Sequence, residues 1–149
     1  MIVLGVDPAS TKTGLAVVDR GKADQLLYTE QFVLDRKATI DHNLSRFFKE
    51  VDRVICTVNV GHVVIERVHV SWNVNTIRKL AYFEAVAMLA AFDAGCVVEQ
   101  LGVTTVRKKV FGSGKLKKEE AAELVRQRYH STLTDDETDA IALALAANV

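Results

Sequence analysis

Met1-Ile2-Val3-Leu4-Gly5-Val6-Asp7-Pro8-Ala9-Ser10-Thr11-Lys12-Thr13-Gly14 opens the chain, and its reading decides the fold. Ile2, Val3, Leu4 and Val6 form an apolar run with β-branched members, the pattern of a strand covered on both faces. Asp7 ends the run. Pro8 disfavours the α region for the residue before it, so Asp7 is expected to be held extended at the strand's end. Ala9 to Thr11 then supply a polar turn, Gly14 permits a tight return, and Leu15 to Val18 form a second strand. Taken alone, an acid at the rim of a hairpin is only a turn initiator; further acids along the chain change that reading.

The 149 residues suit one domain, residues 1–149, long enough to bury roughly 70% of the unfolded surface. With 49% hydrophobic and 26% charged residues and one proline, the composition is that of a globular protein, not a disordered tail. Cys56 and Cys96 are the only cysteines, each in an apolar segment, and read as two reduced core thiols in a reducing cytoplasm. No basic region leads into an apolar signal segment at the N-terminus. The longest apolar stretches, Ala85 to Phe92 and Ala140 to Ala147, are too short to span a membrane, so no membrane partner is expected.

Nineteen basic and nineteen acidic residues cancel overall, but their distribution is uneven. Val103 to His130 carries Arg107, Lys108, Lys109, Lys115, Lys117, Lys118, Arg126 and Arg128 against three acids, a local balance of +5. Ser131 to Val149 carries Asp135, Asp136, Glu137 and Asp139 and no Lys or Arg. A basic surface beside an acidic pocket suits a polyanion bound next to metal ions.

Gln25 to Leu34 alternates as a third antiparallel strand, completing a meander. Residues 36–53 place Ile40, Leu44, Phe47, Phe48 and Val51 at helical spacing, with Val54 to Val60 read as a helix end followed by loop. His62-Val63-Val64-Ile65-Glu66 repeats the opening logic of an apolar run ended by a carboxylate. Arriving after a helix, it can lie parallel to the first strand through a right-handed crossover, which would bring Asp7 and Glu66 together at the strands' carboxyl ends. A loop with His69 and Trp72 leads to a helix over Thr76 to Asp93, apolar almost all round and expected to be deeply buried or to lie partly against another subunit. A short strand follows from Cys96, then helices over Val103 to Val110 and Lys117 to Tyr129. Gly114-Lys115 is not a phosphate-binding loop, because Lys109 stands where that motif needs glycine and Leu116 where it needs Ser or Thr.

Thr134-Asp135-Asp136-Glu137 has the form of a capping box, with Glu137 reaching back to Thr134. Ala140 to Ala147 is apolar on every side and so belongs to a buried helix. Acids three or four apart project together from its inner end, and spacing admits Asp136 or Asp135 as the partner of Asp139. Two carboxylates side by side near a core repel unless a cation neutralises them.

The ordered set of acids resembles the ribonuclease H-like nucleases and, more closely, the RuvC family of Holliday junction resolvases. Asp7-Pro8-Ala9-Ser10 with Thr13-Gly14 is similar to that family's opening signature, Ile65-Glu66 to its second acid, and Asp136-Glu137-Thr138-Asp139-Ala140 to its terminal D-x-x-D-A. The resemblance covers nearly the whole chain and selects Asp136 over Asp135. It implies an α/β, ribonuclease H-like fold: a five-stranded mixed sheet, built from a three-stranded antiparallel meander plus two parallel strands, flanked by helices. It also implies a crossover junction endonuclease acting as a homodimer on four-way junctions or other branched DNA. Asp7, Glu66, Asp136 and Asp139 would hold two Mg2+ ions, replaceable by Mn2+, with Lys118 beside the scissile phosphate. Arg107, Lys108, Lys115, Lys117 and Lys118 would meet the DNA, with His69 and Trp72 near the junction centre. Ala9 departs from the family's usual glycine, and His69 stands where an aromatic is common. The competing readings are a nuclease of broader taste for branched nucleic acid and an actin-like ATP-binding module, for whose second lobe the chain has no room.

Overall fold

The computed structural model describes residues 1–9, 11–69 and 73–149. Its elements follow in the order β1 (Ile2–Asp7), β2 (Lys12–Asp19), β3 (Gln25–Val33), α1 (Ile40–Val58), β4 (His62–Glu66), α2 (Val74–Asp93), β5 (Val97–Leu101), α3 (Val103–Phe111), α4 (Lys118–Arg128) and α5 (Asp135–Ala146). The strands form one sheet in the order β3-β2-β1-β4-β5. β1, β2 and β3 pair antiparallel, and β4 and β5 join parallel to β1. The meander plus two parallel strands expected from the sequence is therefore the observed topology.

Alternation along the strands divides the core between two faces. Leu4, Val6, Leu15, Val17, Val63 and Ile65 point to one side, where Phe47, Val51 and Phe83 from α1 and α2 cover them. Val3, Ala16, Val18 and Val64 point to the other, under α5 and the inner residues of α3 and α4. By the same parity Asp7 and Glu66 point towards α5. Every residue from Ala140 to Ala147 is buried.

Helix bounds depart from expectation where caps override the apolar pattern. α1 starts only after Thr39, whose hydroxyl accepts from the His42 N–H, and runs on to Asn59, which closes it in a left-handed conformation at φ 57°. α2 starts earlier than expected because the Asn73 side chain accepts from the N–H groups of Asn75 and Thr76. That helix is not buried all round: Phe83, Ala87, Ala90 and Ala91 face the sheet, while Tyr82, Leu89 and Phe92 are exposed. Cys96 is buried but Cys56 is exposed, so only one of the two thiols belongs to the core.

Gly14 also takes a different role from the one expected. It lies inside β2, paired with Asp7, and is needed for close approach: a Cβ there would sit 1.9 Å from the Asp136 carbonyl oxygen. Gly5 is the same case on β1, where a Cβ would sit 1.9 Å from the Ala140 carbonyl oxygen and 2.8 Å from the Ala144 nitrogen. Backbone cannot yield as a side chain can, so Gly5→Ala and Gly14→Ala should each destabilise the protein by at least about 2–3 kcal/mol. Gly102→Ala, with nothing within 4 Å of the added Cβ and only the N-cap of α3 to weaken, should cost no more than about 1 kcal/mol. Urea unfolding midpoints check this, and similar midpoints for the three variants would contradict the close approach.

Candidate active site

Asp7 ends β1 and Glu66 ends β4, one step beyond the paired Val6 and Ile65 of the two parallel strands. Both lie on the α5 face. α5 brings Asp136 and Asp139 to the same end of the sheet, because Thr134 and Glu137 close a capping box that fixes where the helix begins. Glu137 is consumed by that cap, its carboxylate accepting from the Thr134 N–H at 2.8 Å. Asp135 turns outward to Arg126 at 2.5 Å. The two acids left over, Asp136 and Asp139, are one of the two pairs that spacing admits and the one that the family resemblance selects.

Asp7, Glu66 and Asp139 line one cavity of about 660 Å³, together with His69, Arg107 and Lys118. Asp136 does not line it; its Oδ2 accepts a 2.6 Å hydrogen bond from Gln31 Nε2. Burial pushes the Asp7 carboxyl well above the ordinary carboxylate range, and the charge of Glu66 and a hydrogen bond with it push the same way, as do Asp139 and Asp136. Burial raises Asp139 to about 6 despite the opposing charge of Lys118, whose Nζ lies 3.4 Å from Asp139 Oδ2. In return, Asp139 raises the ammonium of Lys118.

The basic segment divides between structure and site. Lys109 donates to the Ala146 carbonyl at 2.9 Å, Arg126 to the Leu133 carbonyl at 2.9 Å, and Arg128 pairs with Asp24 at 2.7 Å. Arg107 and Lys118 reach the cavity, Arg107 using one nitrogen on the Leu116 carbonyl at 3.0 Å. Lys108, Lys115 and Lys117 are exposed and lie outside the cavity lining. Trp72 lies outside the described residues.

Residues 3–147 match the model of the family described as crossover junction endodeoxyribonuclease RuvC. The chain belongs to the RuvC family. The RuvC of Halorhodospira halophila is 30% identical over 145 residues, covering 96% of this chain and 87% of its own. That of Saccharophagus degradans is 31% identical over 149 residues, covering 97% and 84%. The solved structure of Thermus thermophilus RuvC in complex with a Holliday junction substrate superposes with a TM-score of 0.89 at 27% identity, covering 98% of this chain and 92% of that one. A yeast mitochondrial Holliday junction resolvase, at a TM-score of 0.57 and 11% identity over 97% and 77% of the two chains, shares the ribonuclease H-like fold.

Carboxylates are the hard oxygen donors that a divalent cation takes, and two of these four, Asp7 and Asp139, are crowded and buried enough to disfavour their own ionisation. As placed, no three of the described acidic, histidine or cysteine side chains converge closely enough to hold an ion. Each carboxylate has a partner instead: Asp7 with Glu66, Asp136 with Gln31, Asp139 with Lys118. Gln31 had no signal in the sequence, since only strand register carries it to Asp136.

Because Asp7 and Asp139 are raised, the folded chain holds their protons more tightly than the unfolded chain. That stability is fully present below the ordinary carboxylate pKa near 4 and is lost as pH rises through about 6 for Asp139. In EDTA, Asp7→Asn should therefore raise the thermal midpoint by about 3 °C or more at pH 8 and by much less at pH 5. An equal shift at both pH values would mean that charge repulsion does not strain this cluster.

Proposed function

We propose that this chain is a divalent-cation-dependent endonuclease that resolves four-way DNA junctions, hydrolysing one phosphodiester in each of two opposed strands. The reading is carried by one juxtaposition: carboxylates from β1, β4 and α5 line a single cavity with Lys118 and Arg107, in a chain of the RuvC family. Magnesium, or manganese in its place, held by Asp7, Glu66, Asp136 and Asp139, would when bound activate water and offset charge on the leaving oxygen. The Lys118 ammonium, kept protonated by Asp139, stands ready to offset the charge of the scissile phosphate. Arg107 keeps guanidinium donors beyond the one held by Leu116, in the planar form that phosphate accepts. Lys108, Lys115 and Lys117 are exposed, His69 lines the cavity, and all four suit contact with the DNA backbone. Trp72 is proposed from sequence alone to stack at the opened junction centre. An exposed free thiol at Cys56 suits a reducing cytoplasm.

Synthetic four-way, forked, flapped and linear substrates, each with and without magnesium, test the reading. Magnesium-dependent paired nicks in the four-way junction are expected. Asp7→Asn and Glu66→Gln should lower cutting by about 10³-fold or more while junction binding stays within about threefold. Forks and flaps cut as fast as junctions would instead indicate a broader branched-DNA nuclease, and full cleavage by either variant would remove the metal-site assignment.

A four-way junction has two-fold symmetry, and two equivalent sites in a homodimer match it. Tyr82, Leu89 and Phe92 recur at helical spacing on the open side of α2, with Leu89 54% and Phe92 74% exposed. This stripe is the proposed dimer contact. Light scattering of a Leu89→Asp, Phe92→Asp double variant should give the monomer mass where the unaltered protein gives the dimer; a dimeric variant would move the interface elsewhere.

A further inference from the structure

We propose that Gln31 is a positioning residue for the metal centre: its side-chain amide holds one oxygen of Asp136 so that the other is presented to a divalent cation. The inference rests on the assignment of Asp136 as a metal ligand.

Asp7, Gly14 and Gln31 stand side by side on β1, β2 and β3, since Asp7 pairs with Gly14 and Gly14 with Gln31. Neighbours in such a row point to the same side of a sheet. Phe32, next to Gln31, packs into the α1 and α2 side, which leaves Gln31 on the α5 side. Directly over the middle of the row sits the backbone of Asp136, close enough to exclude a Cβ at Gly14. The main chain of Asp136 is thus seated on β2 while its side chain reaches β3, where Gln31 Nε2 meets Oδ2 at 2.6 Å. The main chain of Asp136 is held from below and its carboxylate from the side.

The chemistry of the holding group matters. Lys118 offers Asp139 a positive charge, which competes with a cation for the same oxygen. An amide donates a hydrogen bond without adding charge, so it fixes the orientation of Asp136 and leaves its full negative charge for an ion. Outer groups of this kind typically change metal affinity by about 10- to 100-fold when removed.

Gln31→Met keeps the length of the side chain and removes the donor; Gln31→Ala serves as the second variant. Mn2+ binding to the full chain without DNA, followed by titration calorimetry, should weaken about 10- to 100-fold in both, with thermal midpoints in EDTA matching the unaltered protein. The magnesium concentration giving half-maximal junction cleavage should rise by a similar factor, with most of the maximal rate recovered at saturation. Mn2+ binding at unaltered affinity in either folded variant, while Asp7→Asn loses it, would overturn the role of Gln31 and leave the metal site standing. Unaltered binding by Asp7→Asn and Asp136→Asn would overturn the metal-site reading and the role of Gln31 with it.

Discussion

Helix α5 lies backbone against backbone on β1 and β2, and no side chain separates them at Gly5 and Gly14. Removing two Cβ atoms lets the helix sink to a depth that side-chain packing alone would not allow. Around that contact, four alanines of α5 with Ile141, Leu143 and Leu145 share one core cluster with Val3, Ala16, Val18 and Val64. A helix seated on backbone has little freedom to slide or rotate, and its first turn is what carries Asp136 and Asp139. Its other end is also fixed: Arg20 donates to the Ala144 and Leu145 carbonyls and Lys109 to that of Ala146, cations placed where the helix dipole favours them. The carboxylates therefore inherit their positions from a rigid contact some distance from their own charges.

That rigidity holds together groups that repel. Asp7 meets Glu66 across two neighbouring parallel strands, and both face the acidic end of α5. Such an arrangement costs stability in the isolated chain and favours any ligand that brings positive charge. The fold divides the acids of the last helix by task. Glu137 satisfies the helix terminus, Asp135 pairs outward with Arg126, and Asp136 and Asp139 face the sheet. Strand register supplies Gln31 and the third helix face supplies Arg107, so sheet and helices both contribute to the same end of the molecule.

Local charge is partitioned in the same way. Three of the eight cations between Val103 and His130 are tied to carbonyls or carboxylates that hold helices α4 and α5 in place. Lys108, Lys115 and Lys117 remain open, and Arg107 and Lys118 line the acidic cavity. A balanced net charge thus conceals an uneven distribution, with Arg107 and Lys118 lining the same cavity as Asp7, Glu66 and Asp139.

Runs of apolar residues ended by Asp7 and Glu66, the capping box at Thr134, and the apolar surround of Ala140 to Ala147 are local signals. Period-two and period-3.6 patterns express them without knowledge of the rest of the chain, so the sequence by itself determined which segments are strands and helices, that acids end β1 and β4, and that a capping box opens the last helix; the neighbouring of β1 and β4 was only admitted by it and is settled by their pairing. Helix ends were less legible, because Thr39, Asn59 and Asn73 set them through single hydrogen bonds that an apolar pattern does not register. Only the tertiary structure decided that Gly14 serves close approach, that Cys56 is exposed, that Lys109 caps α5 and that Gln31 meets Asp136. Each of these depends on register between strands or on the seating of a helix against a sheet, and such long-range contacts are fixed by the packing of the whole chain.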